Sequence, residues 1–164
     1  MKAKAVIFDL DKTIWNCYKN HSGEQIWAKQ MQPPFKLISL RCIEDSKGQR
    51  CFLQYRFKDF LISLIGIYKL GFLSVGAMKD ISYEDQPSIL LLKKFCLYDY
   101  FDYEKHLLWK DEDKCERLKS MSSCIFIDDD MKHTVPAEKL DNVSVINRNS
   151  FKNWESMKDV FKKY

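Results

Sequence analysis

The chain has 164 residues, 46% apolar and 30% charged, which suits one compact domain spanning 1–164 and excludes two large ones. That apolar share excludes general disorder, and no window approaches the ~18 uninterrupted apolar residues of a membrane-spanning helix. The net charge of +4 arises from 27 basic and 23 acidic residues scattered along the chain, so no dedicated nucleic-acid or membrane surface is expected, and an anionic small substrate is compatible with the charge.

The opening Met-Lys-Ala-Lys runs directly into a strand-like segment without the pattern of a cleaved export leader, which makes the cytoplasm the expected location. Ala5-Val6-Ile7-Phe8 is an apolar run without alternation, as in a strand buried on both faces, and it stops at Asp9-Leu10-Asp11. Residues from Lys12 to Pro34 show no sustained period and read as a long loop with a helical turn. Leu37–Ile43 and Cys51–Tyr55 flank a turn at Glu44–Gln49 and read as a β-hairpin, an insertion at about 36–56. From Phe57 to Leu70 apolar residues recur at helical spacing, with Gly71 as the expected stop.

Phe72–Ala77 reads as a second buried strand, Gln86–Leu97 as a helix with Pro87 in its first turn, and Leu107–Trp109 as a short strand ending at Lys110. Asp113 is placed to cap a brief helix reaching about Met121. Cys124–Ile127 is a fourth apolar run, and it too ends in acid, at Asp128-Asp129-Asp130. Val143–Ile146 reads as a fifth strand, followed by an amphipathic helix capped by Ser150. Strands alternating with helices predict an α/β fold with a mainly parallel sheet.

Open α/β sheets bind ligands beyond the carboxyl ends of their strands, where the strand order reverses. Two strands that deliver Asp9, Asp11, Asp128 and Asp129 to that edge would crowd like charges together, and a hard divalent cation resolves the conflict. Oxygen-only ligands favour magnesium over zinc, and magnesium recruits phosphate oxygens readily. The six cysteines, at 17, 42, 51, 96, 115 and 124, never approach the spacing of a zinc knuckle or a dithiol motif, which argues against structural metal.

Phe8-Asp9-Leu10-Asp11-Lys12-Thr13-Ile14-Trp15 resembles the first motif of the haloacid dehalogenase superfamily, and Ile125-Phe126-Ile127-Asp128-Asp129-Asp130 resembles its fourth. Trp15, the stretch Gln32–Phe35 and the Glu44–Gly48 turn further resemble its small magnesium-dependent phosphatase branch, including archaeal members, which lacks a large cap domain. The resemblance implies a three-layer Rossmann-like fold and a phosphomonoester hydrolase working through an aspartyl-phosphate. Asp9 would be the nucleophile and Asp11 the general acid and then base. Magnesium would be held by Asp9, the Asp11 backbone carbonyl and Asp129, with Asp128 in support. Thr13 would orient the turn. Lys110 matches the lysine that neutralises the nucleophile and the phosphoryl group, with Lys114 as the other candidate.

In the family's second motif a Ser or Thr hydroxyl holds a phosphoryl oxygen, and counting from Gly71 places Met78 there, with Ser74 too early and Ser82 too late. A thioether donates no hydrogen bond, so a weakly active or inactive phospholigand-binding protein is the alternative, and phosphoryl transfer to an acceptor other than water is a third reading. The expected substrates are phosphorylated small molecules or phosphoproteins, acted on by a monomer or weak homodimer. Cys42 and Cys51, opposed across the hairpin, could form a disulfide in an oxidising setting. His133 reads as a loop residue near the crevice, and Trp15, Trp27 and Phe35 as either pocket lining or core.

Overall fold

Apolar runs without alternation need cover on both faces, and the computed structural model, which describes residues 3–20 and 22–164, gives them that cover. The first part of the chain forms β1 (Ala5–Phe8), β2 (Trp15–Tyr18), β3 (Gln25–Ile26), a 3-10 turn (Ala28–Gln30), β4 (Lys36–Ser39), β5 (Cys42–Glu44) and β6 (Arg50–Leu53). The remainder forms α1 (Phe57–Ser63), β7 (Lys69–Val75), α2 (Pro87–Lys94), β8 (Lys105–Leu108), α3 (Lys114–Lys119), β9 (Cys124–Asp128), α4 (Met131–Ala137), β10 (Val143–Asn147) and α5 (Trp154–Phe161). The leader reading began at Met1 and Lys2, which lie outside the described residues. Among those described, no helix is long and apolar enough to cross a membrane.

Five parallel strands run in the order β10-β9-β1-β7-β8, with helices on both faces, an α/β arrangement consistent with a Rossmann-like fold. Alternate side chains of β1 enter two separate cores. Val6 and Phe8 join Phe57, Phe60, Phe72, Phe101, Trp154 and Phe161 on one face. Ala5 and Ile7 join Leu118, Phe126 and Ala137 on the other. The chain leaves β1 toward β7 and β8 and later returns to β9 on β1's opposite side, so the strand order reverses between β1 and β9.

The helix predicted from Phe57 to Leu70 is shorter. Phe57, Phe60, Leu61 and Leu64 are buried as their spacing requires, but α1 ends at Ser63, and the chain turns at Gly66, whose φ of 79° favours glycine. Gly71, expected to stop the helix, lies inside β7 opposite Ile7. A Cβ there would stand 2.6 Å from the Glu104 carbonyl oxygen, so the residue serves close packing. The final helix is capped by Asn153, whose side chain accepts from Ser156 N–H, and not by Ser150.

The segment predicted as a loop from Lys12 to Pro34 instead supplies β2, β3 and the 3-10 turn. Together with the expected hairpin β5–β6 and with β4 they form a second, antiparallel sheet in the order β3-β2-β6-β5-β4. Its apolar side shares the larger core, with Trp15 stacked on Phe95 at 6.3 Å. Cys42 faces Phe52, one step out of register with Cys51, so the two are not opposed as expected, and all six cysteines are free thiols.

Trp154 seals the aromatic core, with ring centroids 4.9 Å from Phe57, 5.1 Å from Phe60 and 5.9 Å from Phe8, and its indole N–H donates to Gln54 Oε1 at 3.0 Å. Trp154→Ala is expected to lower unfolding stability by about 3–5 kcal/mol, measured by urea titration, because so large a void cannot collapse.

Candidate functional site

The reversal of strand order aims two acidic strand ends at one spot. In register, Phe8 pairs with Ile127, so the residues that follow, Asp9 and Asp128, emerge side by side, and Asp9 N–H donates to the Ile127 carbonyl at 2.8 Å. Carboxylate oxygens of Asp9, Asp128 and Asp129 lie within 4.8 Å of one another. They line a cleft of about 1130 Å³ that also receives Asp11, Lys12, Ser74, Lys110 and Lys114.

A lysine ammonium makes this crowding tolerable. Lys114 is the first residue of α3, whose N-cap Asp113 accepts from Cys115 N–H. Its buried Nζ donates to Asp9 Oδ1 at 2.7 Å and to Asp128 Oδ2 at 2.6 Å. Burial alone would lower the lysine pKa, but the two carboxylates outweigh it and raise it. The contact first expected of Lys110 is therefore made by Lys114. Lys110 stands in the turn after β8, exposed at the cleft wall, where its side chain makes no hydrogen bond or ion pair among the described residues.

Asp128 is held in its ionised form. Burial works against its charge, but His133 Nδ1 at 3.2 Å, Lys114 and the Asp130 N–H at 2.8 Å lower its pKa below the ordinary value. His133, read as a loop residue, sits in α4, which Asp130 caps by accepting from Lys132 N–H. The acidic triplet thus divides its work, with Asp128 on the lysine, Asp129 on the cleft and Asp130 on the helix.

The other carboxylates are held toward neutrality. Burial, together with the charge of Asp128, raises the pKa of Asp9 despite Lys114. Asp129 is pushed up to about 6 by burial and by the charges of Asp9 and Asp128. Thr13 lies between them, its Oγ1 3.3 Å from Asp9 Oδ2 and 3.4 Å from Asp129 Oδ1. Asp11 is pushed up to about 7, mainly by burial, although its Oδ1 accepts from the Trp15 indole N–H at 2.9 Å and the Ala28 N–H at 3.0 Å. Trp15 is thus both core and site, Trp27 lies half-exposed in the cleft wall, and Phe35 packs against the core.

The predicted strand through Ala77 ends at Val75, which moves the hydroxyl question. Ser74 lines the cleft, and its hydroxyl bears on Asp9, lowering that residue's pKa. Met78 lies beyond the strand, where its backbone N–H donates to Gln86 Oε1 at 2.9 Å, and it lines a separate cavity. Met78, the residue that counting from Gly71 brought to this position, therefore does not line the cleft, whereas Ser74 does.

The donor set suits a metal ion. Three carboxylates meet in one place and share the single ammonium of Lys114, which engages Asp9 and Asp128, so Asp9 Oδ2 and the Asp129 carboxylate remain to share a cation. A scan against protein-family models finds no match for the chain, and a search of curated proteins finds no significantly similar sequence.

Two outcomes are expected. Lys114→Met leaves two buried carboxylates unpaired, so it should destabilise the fold by about 3–5 kcal/mol above neutral pH. Without the ammonium that lowers them, the Asp9 and Asp128 pKa values rise, so the folded variant takes up protons more readily than the unaltered protein and the loss should shrink as the pH falls toward 5 in parallel melts. A millimolar divalent cation should raise the melting temperature of the unaltered protein, by about 2.7 kcal/mol of stabilisation at a hundredfold excess over Kd, and leave Asp129→Asn unmoved.

Proposed function

We propose that the chain is a magnesium-dependent phosphomonoester hydrolase of the haloacid dehalogenase superfamily that works through an aspartyl-phosphate and carries no large cap domain. The observation that carries this reading is the pairing of Asp9, ion-paired to Lys114, with Asp11, whose pKa lies near 7. A nucleophile and a proton carrier follow one another on the same turn, Asp9 then Asp11, and residues on neighbouring elements constrain both.

The Asp9 carboxylate attacks phosphorus as the bond to the leaving oxygen breaks, and protonated Asp11 gives its proton to that oxygen. Water then attacks the aspartyl-phosphate, Asp11 accepts the water's proton, and phosphate departs with Asp9 restored. A pKa near 7 lets one carboxyl perform both transfers near neutrality. Lys114 offsets charge at Asp9 Oδ1, and Ser74, which lines the cleft, would donate to a phosphoryl oxygen. A magnesium ion between Asp9 and Asp129 would ease the approach of carboxylate to phosphate and stabilise the developing charge. Ser74 in the cleft supports the hydrolase over an inactive phospholigand-binding protein, the reading that a missing hydroxyl would favour. Phosphorylated small molecules and phosphoproteins both fit an open cleft.

The test is release of p-nitrophenol from p-nitrophenyl phosphate with and without magnesium. Turnover should require the metal and vanish in Asp9→Asn, and no release under any condition defeats the reading. Asp11→Asn should slow alkyl phosphates by about 10²–10⁴-fold and p-nitrophenyl phosphate far less, because an aryl leaving group needs little protonation.

A further inference from the structure

A smaller cavity of about 330 Å³ adjoins the cleft, lined by Lys12, Arg148, Asp129 and the carboxamides of Asn16, Gln25 and Asn149. Lys12, Asp129 and Asn149 line both spaces, so the two are continuous. Its wall contains no apolar side chain, unlike the cavity beside Met78.

Arg148 is built into this wall. It follows β10 at the carboxyl edge of the sheet, half-buried, with Nε donating to Gln54 Oε1 at 2.7 Å and Nη1 to the Phe151 carbonyl at 3.0 Å. Its guanidinium carbon lies 4.5 Å from the Phe151 ring and 5.2 Å from that of Trp154. Every one of these partners is neutral. Arg50, Arg56 and Arg117 are ion-paired, whereas Arg148, like Arg41 on the small sheet, has no such carboxylate among the described residues, and of these two only Arg148 lines a cavity that joins the cleft.

Lys12 stands across the same cavity in a left-handed backbone conformation, φ 62°, with its ammonium 4.6 Å from the Trp27 ring. Gln54 joins the two cations, since its Nε2 donates to the Lys12 carbonyl at 3.0 Å while its Oε1 holds Arg148. Two cations share this wall with one carboxylate, Asp129, whose charge acts on both but forms no ion pair with either among the described residues, so a positive charge remains that an anion can complete, and a guanidinium offers planar donors for a carboxylate or phosphate. Asp129, the one acidic wall residue, also faces the cation position.

We propose that this cavity binds a second anionic group of the substrate. The inference rests on the phosphomonoester reading and narrows it to phosphomonoesters whose leaving group bears a carboxylate or a second phosphate a few bonds from the ester.

Two esters of similar size separate the possibilities, 3-phosphoglycerate with a carboxylate and glycerol 3-phosphate without one. By calorimetry with magnesium, Asp9→Asn should bind 3-phosphoglycerate roughly tenfold tighter than glycerol 3-phosphate, the scale of one charge-assisted pair. The same ratio is expected in kcat/KM of the active protein. Adding Arg148→Met should collapse the preference, and Lys12→Met, checked by its melting curve, provides the same test should the arginine variant fail to fold. Equal affinities, or a preference that survives both substitutions in folded protein, overturn the proposal. Stimulation of glycerol 3-phosphate turnover by added acetate would mean that the pocket takes a separate anion, and overturns it also. If neither ester nor p-nitrophenyl phosphate is turned over, the phosphatase reading falls, while the binding preference still decides for or against the pocket.

Discussion

The ammonium of Lys114, buried between Asp9 and Asp128, is the contact on which the rest of the site depends. Parallel strands β1 and β9 deliver their carboxylates side by side because their register allows nothing else. Without a cation between them, like charges a few ångströms apart in a buried place would bind protons or separate. The position of α3, and with it the cap at Asp113, is therefore an electrostatic requirement as much as a packing one. His133 and the amide of Asp130 then bias the shared charge toward Asp128, so that Asp9 and Asp129 face the cleft unneutralised by any side chain but Lys114.

Much of this could be read in the chain itself. Apolar runs that end abruptly in acid, at Phe8–Asp9 and Ile127–Asp128, require buried strands with polar carboxyl ends, and the physics of parallel sheets brings such ends together. The lysine was harder to place, because a strand end favours Lys110 whereas the first turn of α3 points Lys114 inward, and only the angle between strand and helix decides. Ser74 was missed through a strand boundary. A run beginning at Lys69 instead of Phe72 ends two residues earlier, and the polar interruption of an apolar strand was itself the signal.

The antiparallel sheet was the least legible part. Its strands hold two to four residues each, too few to establish a period, and every residue of β4 is exposed, which removes the burial contrast that patterns rely on. Its contribution to the site is nevertheless direct. The 3-10 turn after β3 presents the Ala28 amide, and β2 presents the Trp15 indole, both to one oxygen of Asp11.

That pair of donors places the acidity of a residue at the end of one sheet under the control of another. Asp11 is buried by the inserted strands and partly stabilised by them, and both effects vanish together if those strands loosen. A substitution far out on the small sheet would then alter no group at the cleft, yet it would change the proton affinity of Asp11. Its phenotype would be a displaced pH response in a protein whose parallel core remains intact.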